Sequence, residues 1–184
     1  MKVRSIITLF LGLIVPFGAA VGAQAESPCI FPGADHTCQD PRGRWAIEWR
    51  EASGGGRHVL WLKSLVSGGA RKLLEFDRSV ELLWSPSGKA LAVTDRAGSN
   101  DSVLRVFSGP TLMRAVNVEG RLRASVGRVP EIFDNGHRYF EAVGWVATDV
   151  LQFRVRAYDN APGREYVNTF RYELAGRVSR EPNK

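Results

Sequence analysis

Two cysteines, three histidines and a scatter of carboxylates are the residues in this 184-residue chain whose types could do chemistry. Cys29 and Cys38 stand in "ESPCIFPGADHTCQD", near enough to close a small loop with Pro32-Gly33 at its turn. In an oxidising compartment such a pair forms a disulfide. A metal reading would add Asp35 and His36 to the two sulfurs. The cysteines lack the short spacing of a zinc knuckle and no second ligand pair follows, so no metal site is expected. A reactive dithiol would show Cys-x-x-Cys, which this is not.

Bases for neutral pH are limited to His36, His58 and His137. A hydrolase built on this chain would have to draw its acid and base from them or from Glu48, Asp95, Asp134, Glu141 and Asp149. The sequence has no Gly-x-Ser-x-Gly elbow, no His-Glu-x-x-His and no phosphate-binding glycine loop, so no catalytic residue is assigned and no cofactor is expected. "DRAGSND" places Asp95 and Asp101 either side of a glycine, but without a bidentate acid at calcium-loop spacing it reads as a polar hairpin turn. Asn100-Asp101-Ser102 fits a glycosylation sequon, relevant only in a eukaryotic host. Of the five tryptophans, Trp45, Trp84 and Trp145 read as packing between sheets, with Trp49 and Trp61 the candidates for ligand contact. Arg121, Arg123 and Arg128 form the densest basic cluster and the candidate binding face for an anionic partner.

The compartment follows from residues 1–25, "MKVRSIITLFLGLIVPFGAAVGAQA". Lys2 and Arg4 precede an apolar run and small residues ending in Ala23-Gln24-Ala25, the pattern of a secretory signal peptide cleaved after Ala25. The alternative is a retained anchor; Pro16, Gly18 and Gly22 interrupt the run, and its strongly apolar part is short for a bilayer. Nothing later is long and apolar enough to span a membrane, so a periplasmic or secreted protein is expected. Losing Lys2 and Arg4 lowers the formal charge from +6 to +4. With no compact Lys/Arg run, that mild excess points to no nucleic acid; cell-envelope polymers and proteins are the expected partners.

The elements that must position these residues read as strands. Short runs rich in Val, Leu, Phe, Tyr and Trp occupy 44–50, 58–65, 71–76, 80–84, 90–95, 102–107 and 112–118, and later 138–145, 151–158 and 166–174. "EASGGG", "VSGG", "SPSGK", "RAGSND" and "SGP" supply the turns between them, the signature of an all-β domain. Residues 120–137 break the rhythm, with Leu122, Val126 and Val129 at helical spacing before the turn signal Asp134-Asn135-Gly136; a helix or ordered-loop insertion is expected there. The tail, 177–184, is polar and expected to fray.

A repeat links these strands. "DPRGRWAIEW" from Asp40 and "SPSGKALAVT" from Ser85 align Pro41 with Pro86 and Gly43 with Gly88 at a period of 45 residues, about one four-stranded blade. Trp145 opens a weaker third copy, in which Ala147 and Asp149 replace the Pro and Gly. "LLWSPSGKALAVTD" is similar to the WD-like repeats of bacterial periplasmic β-propellers, among them those of the Tol system, with Ser87 in place of the usual Asp. The resemblance implies antiparallel meander blades at 40–76, 77–119 and 138–176, following a disulfide-looped segment at 26–39, and it implies no activity.

Leu83, Leu91 and Val93 are expected to face one core. Ten strands cannot close a ring of four-stranded blades. The expected architecture is therefore an incomplete propeller or a sandwich-like stack. Its terminal blade would present a flat apolar face, covered by the insertion, by the disulfide loop or by a second copy. In function, the sequence supports an exported, non-catalytic binding module on a propeller-like scaffold; the alternative is a periplasmic hydrolase.

Overall fold

The computed structural model describes residues 27–33, 36–52, 56–126, 133, 136–159 and 164–182. Within them, strand periodicity decides local structure. In β11 (Val150–Tyr158) burial alternates residue by residue: Leu151, Phe153, Val155 and Ala157 are buried, while Arg154 and Arg156 are exposed. That is the two-residue period of a half-buried strand. In β7 (Ala90–Asp95) all six residues are buried, as expected of a strand covered on both faces.

Thirteen strands occur among the described residues, three more than the sequence suggests, and twelve of them make three successive antiparallel meanders. Blade 1 is β2 (Thr37–Gln39), β3 (Trp45–Glu51), β4 (His58–Ser64) and β5 (Ala70–Phe76). Blade 2 is β6 (Val80–Trp84), β7, β8 (Asp101–Ser108) and β9 (Arg114–Asn117). Blade 3 is β10 (His137–Ala147), β11, β12 (Glu165–Glu173) and β13 (Val178–Arg180). All three blades therefore have four strands. The additional strands β2 and β13, like β1 (Cys29–Phe31), have three residues each, too few to show a period. The tail does not simply fray: Val178 is buried and β13 pairs with β12.

The blades stack through two separate cores. Ile47, Leu60, Leu62 and Phe76 of blade 1 meet Val80, Leu82, Trp84, Leu91, Val93 and Phe107 of blade 2. The opposite face of blade 2, with Leu83, Ala90, Ala92, Leu104 and Val106, meets Phe140, Trp145, Leu151, Phe153 and Phe170 of blade 3. Leu83 thus faces away from Leu91 and Val93, because the middle blade is a buried layer between two others. The short α1 (Val118–Val126) starts two residues before the expected insertion and overlaps it, and its Val118 and Leu122 fill the second core together with Phe133.

Between blades 2 and 3 several buried polar groups are matched, whereas Trp84 Nε1 and Trp49 Nε1 in the first core have no hydrogen-bond partner among the described residues. The Ser102 hydroxyl accepts from Phe140 N at 3.0 Å and lies 3.1 Å from Phe140 O, Thr94 Oγ1 accepts from Ala142 N at 3.0 Å, and Trp145 Nε1 donates to Leu83 O at 3.2 Å. These bonds satisfy buried groups that would otherwise cost about 1–3 kcal/mol each. β8 and β10 also pair briefly in parallel at Asp101–Arg138 and Ser102–Tyr139, which joins blades 2 and 3 edge to edge.

The disulfide Cys29–Cys38 is formed, with Cα atoms 6.1 Å apart. It joins β1, which pairs antiparallel with β6 of blade 2, to β2 of blade 1. It is therefore a staple between blades.

Among the described residues, neither outer face of the stack is the uniformly apolar one expected of a terminal blade. On the outer face of blade 1, Glu48 binds Arg50 at 2.9 Å and Lys63 at 3.1 Å, and Arg50 lies 5.4 Å over the Trp61 ring. On blade 3, Arg156 lies 5.0 Å over Tyr139 and 5.9 Å over Tyr158, beside exposed Arg154. Charged side chains are interspersed there with Trp61 on blade 1 and with Val167, exposed beside Arg156, on blade 3. Helix and disulfide loop serve the seams instead.

Candidate functional site

The repeated turns of blades 1 and 2 share one hydrogen-bond pattern. In blade 1, Asp40 Oδ1 accepts from Arg44 N at 2.5 Å and Trp45 N at 2.7 Å, and Gly43 N donates to Asp40 O at 2.9 Å with φ +64° at Gly43. In blade 2, Ser85 Oγ accepts from Ala90 N at 3.0 Å, Gly88 N donates to Ser85 O at 2.7 Å, and Gly88 has the same φ of +64°. Asp40 and Ser85 are thus the same turn-closing acceptor one blade apart. The two turns also touch: Arg44 donates through its guanidinium to Ser87 O at 2.9 Å, and the Cα of Gly88 packs against Asp40 and Arg44. A Cβ on residue 88 would run into the Asp40 carboxylate. In blade 3 the turn is tighter: Trp145 pairs with Leu151, where Trp84 pairs with Leu91, and Ala147 pairs with Val150. This shortening is why the third motif lacks its Pro and Gly.

Where these turns align there is a cleft of about 490 Å³, lined by Arg44 and Trp45 of blade 1, Gly88, Lys89 and Arg114 of blade 2 with the Ser108–Pro110 loop, and Asp149 and Leu174 of blade 3. Lys89, Arg114 and Asp149 are exposed, and their side chains make no ion pair or hydrogen bond among the described residues. Blades 1 and 2 supply cations and blade 3 supplies the acid. Leu174 N donates to Asp149 O at 3.0 Å, which ties the acidic wall together.

A smaller cleft of about 380 Å³ lies at the opposite end of the strands, among Arg78, Ser79, Arg96, Gly98, Ser99, Asp101 and Tyr139. Arg96 there is engaged, binding Glu81 at 2.7 Å and Glu141 at 3.1 Å, and the Tyr139 hydroxyl donates to Ser99 O at 2.8 Å, while only Arg78 and Asp101 add charge and no second blade turn reaches the cleft.

The remaining candidate residues are dispersed. Trp49 lies between His36, stacked at 5.1 Å, and His58, edge-on at 5.4 Å, and His58 packs on Phe76. Trp61 is under Arg50 on the outer face of blade 1 and not between sheets. His137 stacks on Tyr158 at 4.6 Å. Arg121 is exposed on α1, while Arg123 turns back to Glu119 at 2.9 Å and to the Phe133 ring at 6.0 Å; Arg128 lies outside the described residues, as do Asp35 and Asp134. Arg121 and Arg123 therefore point to different surroundings.

Each carboxylate has its own setting. Arg50 and Lys63 hold the Glu48 carboxyl below its ordinary value. Burial pushes Asp95 up, against the Arg105 hydrogen bond at 2.8 Å. Glu141 is bound to Arg96, and of the four described carboxylates Asp149 alone lines the large cleft. Among the described residues no three His, Cys, Asp or Glu side chains are placed to hold a metal.

The sequence analysis names Asp149 but not Arg44, Lys89 or Arg114. Arg44 and Lys89 each follow the turn glycine of their repeat, a signal the alignment of the two copies carries. Arg114 has no such signal, being placed by the path from Leu112, whose φ is +57°, into β9.

No protein-family model matches the sequence, and no curated protein is significantly similar to it. Among solved structures, the chain is similar to the β-propeller domain of the Trilobed protease from Pyrococcus furiosus, described as having an open velcro topology. The TM-score is 0.53 at 13 % identity, over 82 % of this chain and 43 % of that one. The fold is that of a partial β-propeller. TolB from Acinetobacter baumannii is also similar, with a TM-score of 0.41 at 13 % identity, over 83 % of this chain and 32 % of that one. The chain spans less than half the length of either propeller.

Proposed function

We propose that this partial propeller is an exported binding module that holds an anionic group of an envelope or secreted partner in the cleft across its blade turns. One observation carries the reading: three successive blades deliver equivalent turns to one cleft, where Lys89 and Arg114 are exposed and unpaired. Cations without partners in a concave site are available to a ligand, whereas most other cations near a carboxylate already hold one. Export is supported by the leader pattern of residues 1–25 and by the Cys29–Cys38 disulfide, which persists in oxidising compartments. No helix among the described residues is long and apolar enough to cross a membrane.

The test is partition between envelope and soluble fractions of the producing cell. The Lys89→Glu, Arg114→Glu double variant should keep its melting temperature and shift to the soluble fraction. Unchanged partition at unchanged stability would contradict the proposal.

A further inference from the structure

The cleft is polarised, and this sharpens what it would bind. Its three cations, Arg44, Lys89 and Arg114, come from blades 1 and 2, and its carboxylate, Asp149, from blade 3. Trp45 and Leu174 add apolar surface to the lining. A polyanion of repeating phosphates laid across all three blades would bring one of its charges against Asp149. A ligand that is acidic at one end and basic at the other meets an opposite charge on each wall.

Resting on the binding reading above, we infer that the cleft takes an extended peptide segment of a partner protein carrying an acidic side chain, an apolar one and, about three residues on, a basic one. The spacing follows from dimensions: packed sheets lie about 10 Å apart and an extended chain advances about 3.3 Å per residue, so roughly three residues span neighbouring blades. The acidic side chain meets Lys89 and Arg114, the apolar one Leu174, and the basic one Asp149. Arg44 contributes field more than contact, since its guanidinium is already bonded to Ser87 O. Exposed pairs of this kind are individually weak, up to about fivefold in affinity each.

Backbone amide shifts of the exported protein, followed by NMR, measure such weak binding directly. The probes are acetyl-Glu-Leu-Ala-Lys-amide, acetyl-Glu-Leu-Ala-Glu-amide and sodium tripolyphosphate. The expected result is that the Lys peptide shifts the amides of Gly88, Lys89, Gly109 and Asp149 and binds about three- to fivefold more tightly than the Glu peptide. The Asp149→Lys variant, altered at an exposed turn position, should invert that order. Equal binding of the two peptides in both proteins would overturn the inference. So would tripolyphosphate shifting the same amides more strongly than either peptide, which leaves the binding reading standing. If no probe moves these amides, both readings fail.

Discussion

Gly88 shows how one residue serves both turn and seam. Its φ of +64° already favours glycine, and the Asp40 carboxylate and Arg44 guanidinium of the neighbouring blade occupy the space where a side chain would begin. Gly43 has the same φ with nothing within 4 Å. Gly88→Ala should therefore destabilise by about 2–4 kcal/mol in denaturant titration, and Gly43→Ala by only about 1 kcal/mol. Equal costs would contradict the seam role. The carboxylates give a pH test. Asp95 is raised by burial, so the native state binds its proton more tightly than the unfolded chain does, and wild type should gain on Asp95→Asn as pH falls through that raised value. Glu48, held low by Arg50 and Lys63, behaves oppositely: its stabilisation is present above the ordinary carboxylate value and is lost as pH falls through its lowered one. Differences in melting temperature against Asp95→Asn and Glu48→Gln, taken from pH 7 downward, should therefore run in opposite directions. At this scale the sequence was legible where a residue serves its own turn, as with Pro86 and Gly88. It was silent where a side chain answers to a neighbouring blade, as Thr94 does in accepting from Ala142 N.

Strands and their staple come next. β7 is buried on both faces, so Leu91→Ala opens a cavity and should cost about 2–5 kcal/mol, while Val167→Ala on the exposed face of β12 should stay within about 0.5 kcal/mol. Replacing both Cys29 and Cys38 by Ser releases β1 from β2 and should cost about 2–3 kcal/mol for so short a loop. Hydrogen exchange would locate the effect: faster exchange in β1 and β6 with blade 3 unchanged. Uniform acceleration would mean that the staple holds the whole stack and not one seam. Elements with a period were readable in advance. Strands such as β7, β8 and β11 alternate or run apolar, whereas β1, β2 and β13, at three residues each, are specified by their neighbours.

For the whole molecule, the blade period and the all-β class were visible in the chain, and the polar ends were not recognised although Glu48, Arg50, Arg154 and Arg156 spell them out. The reason is that a terminal blade is assumed to resemble an internal one, yet its outer face is under the opposite demand. With both ends charged, ring closure by stacking a second copy would bury Glu48, Arg50, Arg154 and Arg156 against a sheet, a costly desolvation. A monomer is expected in sedimentation at micromolar concentration, and a dimer would show that a face described as polar is an interface.

The central claim is that turns from three blades make one binding cleft. Site-specific photo-crosslinking in the producing cell tests it most directly, with the photoreactive residue at position 110 in the cleft or at position 164, exposed at the opposite end of the strands. A discrete adduct from position 110, abolished by Arg114→Glu and absent from position 164, is the predicted result. No adduct from position 110, or the same adduct from both positions, would contradict it.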